Sequence, residues 1–282
     1  MSEIIPSDEL SLSALDQQLQ EVLGVPTDNP TDYEPPSSDL PSISTIGADE
    51  EGEIPTDPRV MLQRVWGYPD FRGIQRDIVD SILEGHDTLG LMPTGGGKSI
   101  TFQVPGLILP GLTLVITPLI SLMKDQVDHL RARGIRATAI HSGMSQEKVQ
   151  TALDNCLFGK YKFLYVSPER VGSERFQAWL HALTVSLIVI DECHCVCQWG
   201  YDFRPSYLEL PKLREQLPEV PILALTATAT SEVVEDIKRV LHFRPGYAFY
   251  QKSFLRPNIS YSIRRSDDKP AMMLHILERV SG

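Results

Sequence analysis

The sequence has few cysteines, no long apolar run and, over its first 58 residues, no lysine or arginine. Four cysteines in 282 residues do not suggest a disulfide scaffold and indicate a reducing compartment. No apolar run is long enough to span a membrane, and the start Met1-Ser2-Glu3 does not begin a secretory signal. These absences argue against a membrane protein and a secreted disulfide-rich protein.

The missing basic residues divide the chain into two parts of different charge. Residues 1–58 contain 14 Asp and Glu, which leaves 26 basic and 23 acidic residues for the remainder of a chain whose net charge is −11. Apart from a short amphipathic helix predicted over 10–23, this acidic arm is rich in Pro, Ser and Thr. Such a composition buries too little apolar surface to offset its ordering entropy, so we predict a disordered arm over 1–58.

From Arg59 onward, short apolar segments alternate with amphipathic ones. One helix is predicted at 60–66, and a second one ends at Leu83. Further helices are predicted at 99–109, 120–133, 146–158, 173–183, 207–217 and 231–241. Strands are predicted at 88–92, 112–117, 137–141, 163–167, 187–191 and 222–226. This alternation indicates an α/β fold with a central parallel sheet covered on both faces, whose ligands bind at the carboxyl ends of the strands.

The stretch from Leu89 to Ser99 predicts a phosphate-binding loop. It reads as a buried strand, then Pro93-Thr94-Gly95-Gly96-Gly97, then the first residues of a helix. Three glycines allow a tight turn that points backbone N–H groups inward, next to the positive end of the helix dipole. The ammonium of Lys98 suits the outer phosphates of a nucleotide and the hydroxyl of Ser99 suits a magnesium ion.

A second motif, Asp191-Glu192-Cys193-His194, follows the apolar run from Leu187 to Ile190. An acid at the end of a buried strand is costly unless it has a partner. Magnesium bound near Asp191 would be such a partner, and Glu192 could then activate a water molecule as a general base.

Together these residues resemble RecQ DNA helicases. The segments that carry the resemblance occur in the same order as in that family: 92–99 (MPTGGGKS), 118–126 (PLISLMKDQ), 191–194 (DECH), 198–205 (QWGYDFRP) and 226–228 (TAT). The resemblance implies the first RecA-like lobe, a P-loop three-layer domain, of an ATP-dependent helicase that moves 3′ to 5′ on DNA in repair or recombination. Its domain would span 59–258, with a hinge and the start of a second lobe at 259–282.

The resemblance also implies a role for individual residues of the nucleotide site. Tyr68, Arg72 and Gln75 would recognise adenine, although Gly73-Ile74 replaces the usual Pro-Gly. The phosphates would lie on Pro93, Thr94, Gly95, Gly96, Gly97, Lys98 and Ser99. Ser99 and Asp191 would hold Mg²⁺, and the catalytic set would be Lys98, Asp191, Glu192 and His194. Cysteine at 193 replaces the usual alanine.

Further residues would contact DNA or connect the two sites. The DNA-binding set implied is Thr117, Pro118, Ser121, Lys124, Arg170, Gln198, Trp199, Phe203 and Arg204, while Thr226 and Thr228 would couple the nucleotide site to the other lobe. For Lys124, a solvated helix charge is an equal alternative. Cys197 and Tyr201 depart from the family's Ser and His. Cys193, Cys195 and Cys197 do not have the spacing of a structural zinc site.

The expected partners are single-stranded DNA, DNA junctions and a second RecA-like lobe or partner chain that completes the ATP cleft. Without that lobe, we expect weak ATP binding, poor hydrolysis and no unwinding. Two alternatives stay open: a nucleotide- and DNA-binding regulatory module without turnover, and an RNA helicase. The arm is a solvated linker or, alternatively, a segment that binds a partner or competes with DNA. The compartment would be the nucleoid in a bacterium or the nucleus in a eukaryote.

Overall fold

The structure is a computed structural model that describes residues 54–197, 204–253 and 265–279. The predictions that fall on the first 53 residues, including the helix at 10–23, lie outside these residues. So do Gln198, Trp199 and Phe203 of the predicted DNA site, and the first residues of the hinge segment predicted at 259–282.

The described residues contain one sheet of seven parallel strands, which confirms the α/β fold class. In spatial order the strands run β3-β4-β2-β5-β6-β1-β7. Their bounds are β1 Thr88–Leu91, β2 Leu112–Ile116, β3 Ala137–Ile140, β4 Phe163–Val166, β5 Val185–Ile190, β6 Ile222–Thr226 and β7 Ala248–Gln251. Because all strands are parallel, their carboxyl ends meet at one edge.

Helices cover both faces of this sheet. Their bounds are α1 Pro58–Trp66, α2 Gln75–Leu83, α3 Lys98–Ile108, α4 Ile120–Ala132, α5 Gln146–Phe158, α6 Pro168–Val171, α7 Glu174–Leu180, α8 Pro211–Gln216, α9 Ser231–Val240 and α10 Lys269–Arg279. Helices α1 to α4 pack on the face that includes Val115 and Tyr165. Helices α5, α7 and α9 pack on the opposite face, which includes Ile116 and Val166. The predicted three-layer arrangement is thus confirmed.

The helix boundaries follow from their sequences. The side chain of Asp57 caps α1 by accepting from Arg59 N–H, Pro58 occupies the first turn, and Gly67 ends the helix in the left-handed conformation. Ser145 and Thr230 cap α5 and α9 in the same way. These are the start and stop signals expected of amphipathic helices.

Several predicted elements differ in the structure. The helix predicted at 207–217 is a 3-10 turn, Pro205–Glu209, followed by the separate helix α8. Pro211 has no N–H to continue the preceding turn, which explains the break. The helix predicted at 173–183 ends at Leu180, since Ala182 N–H already bonds to Trp179. The sequence did not predict α6 or β7 at all.

One buried acid, one buried arginine and one half-buried arginine organise the amino ends of the strands. The side chain of Asp87 is fully buried, and its two oxygens accept from Nη2 of Arg214. They also accept from the backbone N–H and the guanidinium of Arg244. It also accepts from Ile222 N–H at the start of β6. This cluster ties β1 to β6 at the edge of the sheet opposite the predicted site.

Four free cysteines, all buried, are present among the described residues. Within the described ranges, no helix combines the length and the apolar character needed to cross a membrane.

Candidate nucleotide and nucleic-acid site

The phosphate loop joins the carboxyl end of β1 to the first turn of α3. Gly95 and Gly97 both have φ of +76°, a conformation that favours glycine. A Cβ on Gly96 would lie 2.7 Å from the carbonyl oxygen of Pro93, so this position also requires glycine. Met92 stands where the general motif has its first glycine; it is fully buried, and its N–H donates to the Thr226 carbonyl in β6. The loop therefore has the tight geometry that the sequence predicted.

The loop lysine meets the acid pair across one intervening strand. Strand β6 lies between β5, which ends just before Asp191, and β1, which ends just before the loop. Lys98 Nζ lies 2.9 Å from Glu192 Oε1 and 3.8 Å from Asp191 Oδ1. Residues 94 positions apart in sequence are thus brought together at one edge of the sheet.

The environment of the two acids differs. Burial raises the pKa of Asp191 to about 6, while the nearby Lys98 ammonium opposes this rise and Glu192 adds to it. The backbone of Glu192 is left-handed, with φ of 48°, and its N–H donates to Asp191 Oδ1 at 3.0 Å. Such strain at a non-glycine residue costs energy and is often found at functional sites. It allows both carboxylates to face Lys98.

His194 and the end of β6 form a second connection. His194 Nδ1 lies 2.7 Å from Thr226 Oγ1 and 3.4 Å from Glu192 Oε2. Thr226 Oγ1 donates to the Thr228 carbonyl and accepts from Thr228 N–H. A hydrogen bond thus joins the histidine ring to the Thr226 hydroxyl. Two residues predicted to couple and one predicted to be catalytic therefore form one network.

The residues predicted to recognise adenine lie beside the same loop. The Gln75 amide nitrogen donates to the carbonyls of Gly96 and Gly97, at 3.1 and 3.2 Å, and its oxygen accepts from Arg72 N–H. The Arg72 guanidinium lies 5.7 Å from the centre of the Tyr68 ring, which is 45% exposed. Gln75 is thus bound to the phosphate loop, and Tyr68 offers an open aromatic face next to it.

A cavity of about 360 Å³ lies in front of the loop. It is lined by Lys98, Ser99, Phe102, Thr117, Tyr165, Asp191 and Glu192, among others. A glycine loop, a lysine and a helix amino terminus fit the phosphates of a nucleotide. The hydroxyl of Ser99 and the carboxylate of Asp191 are the oxygen donors that Mg²⁺ prefers. The residues present therefore fit a magnesium–nucleotide complex.

Five of the predicted DNA-contacting residues lie directly after β2, in α4 or in α6, with different exposures. Thr117 is buried after β2, Pro118 and Lys124 are half-buried, and Ser121 is exposed on α4. The guanidinium of Arg170 donates to the backbone carbonyls of residues 141, 142 and 144.

The segment after the undescribed residues 198–203 is tied to the acid motif. Arg204 N–H donates to the Cys195 carbonyl, and the hydroxyl of the fully buried Tyr207 donates to the Asp191 carbonyl at 3.0 Å. The sequence predicts no site role for Tyr207, because a tyrosine in an apolar segment is usually a core residue. No sequence signal distinguished it.

Comparison with known proteins identifies the family. The DEAD/DEAH box helicase family matches residues 72–237, which is more than half of the chain. The chain is 41% identical to the probable ATP-dependent DNA helicase RecS of Bacillus subtilis, over 78% of this chain and 45% of that protein. It is 46% identical to the ATP-dependent DNA helicase RecQ of Haemophilus influenzae, over 72% of this chain and 33% of that protein.

A solved structure shares the fold. The DUF1998 helicase MrfA bound to DNA superposes with a TM-score of 0.57 at 16% identity, over 73% of this chain and 30% of that chain. The chain spans less than half the length of each of these proteins. With the phosphate loop, the acid pair and the family match in agreement, the chain belongs to the DEAD/DEAH box helicases, and its resemblance to RecQ helicases is confirmed.

Proposed function

We propose that this chain is the first motor lobe of a RecQ-type, ATP-dependent DNA helicase that acts in DNA repair or recombination. The observation that carries the proposal is the meeting of Lys98 with Glu192 and Asp191 at the carboxyl edge of the sheet. The RecQ and RecS relatives support the choice of DNA rather than RNA as the substrate. The ATP-binding domain would span 59–258.

Each residue of the nucleotide site has a proposed chemical task. Lys98 binds the outer phosphates, and Ser99 and Asp191 hold Mg²⁺, which neutralises charge on the phosphate oxygens when bound. Glu192 accepts the proton of the attacking water. In the present structure Lys98 is paired with Glu192. When the ammonium turns to a phosphate, Glu192 loses this partner and becomes available as a base.

The remaining nucleotide contacts are arranged around the loop. Tyr68 would stack on adenine. The amide of Gln75 is hydrogen-bonded to Gly96 and Gly97. We propose that this contact couples recognition of the base to the conformation of the phosphate loop. His194, through Thr226 and Thr228, would transmit the state of Glu192 to the second lobe.

The proposed DNA contacts begin at the strand ends beside this cavity. Thr117, Pro118, Ser121, Lys124 and Arg170 would follow the phosphate backbone, and Gln198, Trp199, Phe203 and Arg204 would provide stacking faces and a cation. Single-stranded DNA and DNA junctions are the proposed ligands, and the nucleoid or nucleus is the proposed location.

A second RecA-like lobe is the proposed structural partner. In α10, the apolar side chains of Met273, Leu274 and Leu277 are each 61% exposed. An apolar face of this size is usually covered by a neighbouring element. A second lobe that covers it would also close the nucleotide cleft and supply an arginine finger, which contributes about 10³–10⁵ to turnover in related enzymes.

The test is binding of a fluorescent ATP analogue with Mg²⁺, followed by ATP turnover with and without single-stranded DNA. We expect Lys98→Ala to lose nucleotide binding at least tenfold, about 1.4 kcal/mol. Glu192→Gln should keep binding and lose turnover. Lys212→Ala, which changes an exposed lysine on α8, is the matched control.

The outcomes separate the possible functions. DNA-stimulated turnover that both variants lose supports the motor function. Binding of nucleotide and DNA without turnover, even when a second lobe is added, supports the regulatory module instead. Nucleotide binding that survives Lys98→Ala would contradict the assignment of the phosphate loop.

A further inference from the structure

Three polar residues stand side by side at the ends of three adjacent strands. Ile116, Val166 and Ile140 are in register across β2, β4 and β3. The next residue of each strand is Thr117, Ser167 or His141. Neighbouring parallel strands lie about 4.8 Å apart, so these three residues form a row about 10 Å long at the carboxyl edge of the sheet.

Each member of the row has a polar atom that is buried and lacks a hydrogen-bond partner among the described residues. These atoms are Thr117 Oγ1, Ser167 Oγ and His141 Nδ1, and the residues Thr117 and Ser167 are only 2% and 1% exposed. An unpaired buried polar group costs about 1–3 kcal/mol. Three such groups in a row therefore indicate a place where a polar ligand satisfies them.

The surroundings of the row favour an anion. Among the described residues, Lys124 of α4 and Arg170 of α6 are the charged groups that act electrostatically on His141, and both are cations. Together with burial, which contributes most, they lower the pKa of His141 below its usual value. The ring is therefore neutral near pH 7 in the free protein. An anion bound beside it would reverse this balance and favour the protonated ring.

Arg170 fixes the position of this histidine. Its Nε donates to the His141 carbonyl, and its Nη2 donates to the carbonyls of Ser142 and Met144. Gly143 lies beside the ring, and a Cβ there would make ordinary van der Waals contact with Nδ1 at 3.5 Å. The guanidinium thus holds the turn that presents His141, with three of its bonds directed at backbone carbonyls.

We propose that His141, with Thr117 and Ser167, binds a backbone phosphate of single-stranded DNA, and that it takes up a proton when it does so. The inference rests on the proposed function, and it adds a residue and a pH dependence to it. Arg170 is a positioning residue for this contact. DNA affinity should then rise as the pH falls through the neutral range.

The experiment is fluorescence anisotropy of a labelled oligothymidine with the full chain, between about pH 6 and about pH 8. One linked proton changes affinity by at most tenfold per pH unit, so we expect Kd to increase about five- to tenfold over this range. His141→Gln should bind at every pH with the weak affinity that the parent chain has at about pH 8. His141→Lys should bind with an affinity that does not change with pH over this range. His129→Gln, an exposed histidine on α4 paired with Asp125, is the matched control and should behave as the parent chain.

The results distinguish this inference from the proposed function. If His141→Gln keeps the parent's pH dependence, the inference is wrong although DNA binding stands. If the parent chain binds nucleotide but no oligothymidine at any pH, the proposed function itself fails. Equal thermal unfolding of parent and His141→Gln at about pH 8, where the histidine is neutral, verifies that the variant is folded.

Discussion

Asp87 is a buried carboxylate whose partners all come from distant parts of the chain. It accepts from Arg214, Arg244 and the backbone of Ile222. Removing one partner of a buried ion pair typically costs about 3–5 kcal/mol, because the remaining charges stay buried. We therefore expect Asp87→Ala to lower the free energy of unfolding by about this amount in urea titrations.

Asp128→Ala is the control for that experiment, because Asp128 is exposed on α4. Its effect should remain within about 0.5 kcal/mol. An equally small effect of Asp87→Ala would mean that the arginines find other partners.

Lys162 should make stability depend on pH. Its ammonium donates to the Leu109 carbonyl at the end of α3, and burial lowers its pKa to about 8. The unfolded chain, with an ordinary lysine pKa, binds more protons between about pH 8 and about pH 10.5, so the stability of the folded chain rises with pH across this window. Lys162→Met should remove this contribution.

The measurement is the difference in unfolding free energy between parent and Lys162→Met across that window. Lys160→Met, which changes an exposed neighbour, should leave the slope unchanged. A parent-like slope in Lys162→Met would assign the pH dependence to other groups.

At the scale of elements, the 3-10 turn Pro205–Glu209 supports the acid motif. Burial raises the pKa of Tyr207, so its hydroxyl remains a neutral donor to the Asp191 carbonyl. Tyr207→Phe leaves that carbonyl without its partner, and we expect a loss of about 1–2 kcal/mol in stability and weaker binding of magnesium–nucleotide. Urea unfolding and analogue titration measure the two effects.

Tyr250→Phe, on the edge strand β7, serves as the comparison and should change neither quantity. If Tyr207→Phe reduces stability but leaves nucleotide affinity intact, the turn supports the fold without positioning Asp191.

Element by element, the sequence predicted best where burial was continuous. The runs at 88–91, 112–116 and 222–226 are buried at every position, so their apolar character identified them. Strand β7 alternates between half-buried and exposed positions at the edge of the sheet, which leaves a weak signal. In the segment 207–217, Pro211 was the residue that indicated a break in the predicted helix.

In the candidate site, the sequence predicted which strand ends meet but not the contacts between the side chains. Lys98, Asp191 and Glu192 lie together, because ligand-binding residues of parallel sheets gather at the carboxyl ends of the strands. The bond from Gln75 to Gly96 and Gly97 joins residues more than 20 positions apart. Such a contact depends on how α2 packs beside the loop, and spacing in the sequence does not reveal it.

At the scale of the whole molecule, charge is divided unevenly along the chain. The first 53 residues contain 13 of the 37 Asp and Glu and no Lys or Arg. Because this segment repels a polyanion, deleting it should tighten binding of single-stranded DNA about three- to tenfold at low salt, and by less than about twofold near 0.2 M salt. Anisotropy titrations at both salt concentrations measure this.

A Gly/Ser segment of the same length in place of residues 1–53 separates charge from bulk. This variant should bind single-stranded DNA as tightly as the deletion variant does. Should it instead bind DNA as the parent does, bulk rather than charge would be the cause.

The order of the strands also sets how fast the backbone amide hydrogens in each part of the site exchange with solvent. Strands β5, β6 and β1, which carry the acid pair, the Thr226 connection and the phosphate loop, lie inside the sheet, whereas β3, which carries His141, is at its edge. Interior strands exchange with solvent deuterium only in the rarest openings, and edges open more often. The proposed nucleotide chemistry therefore involves the slowest-exchanging backbone, while the proposed phosphate contact at His141 lies where the protein can adjust to an irregular single strand.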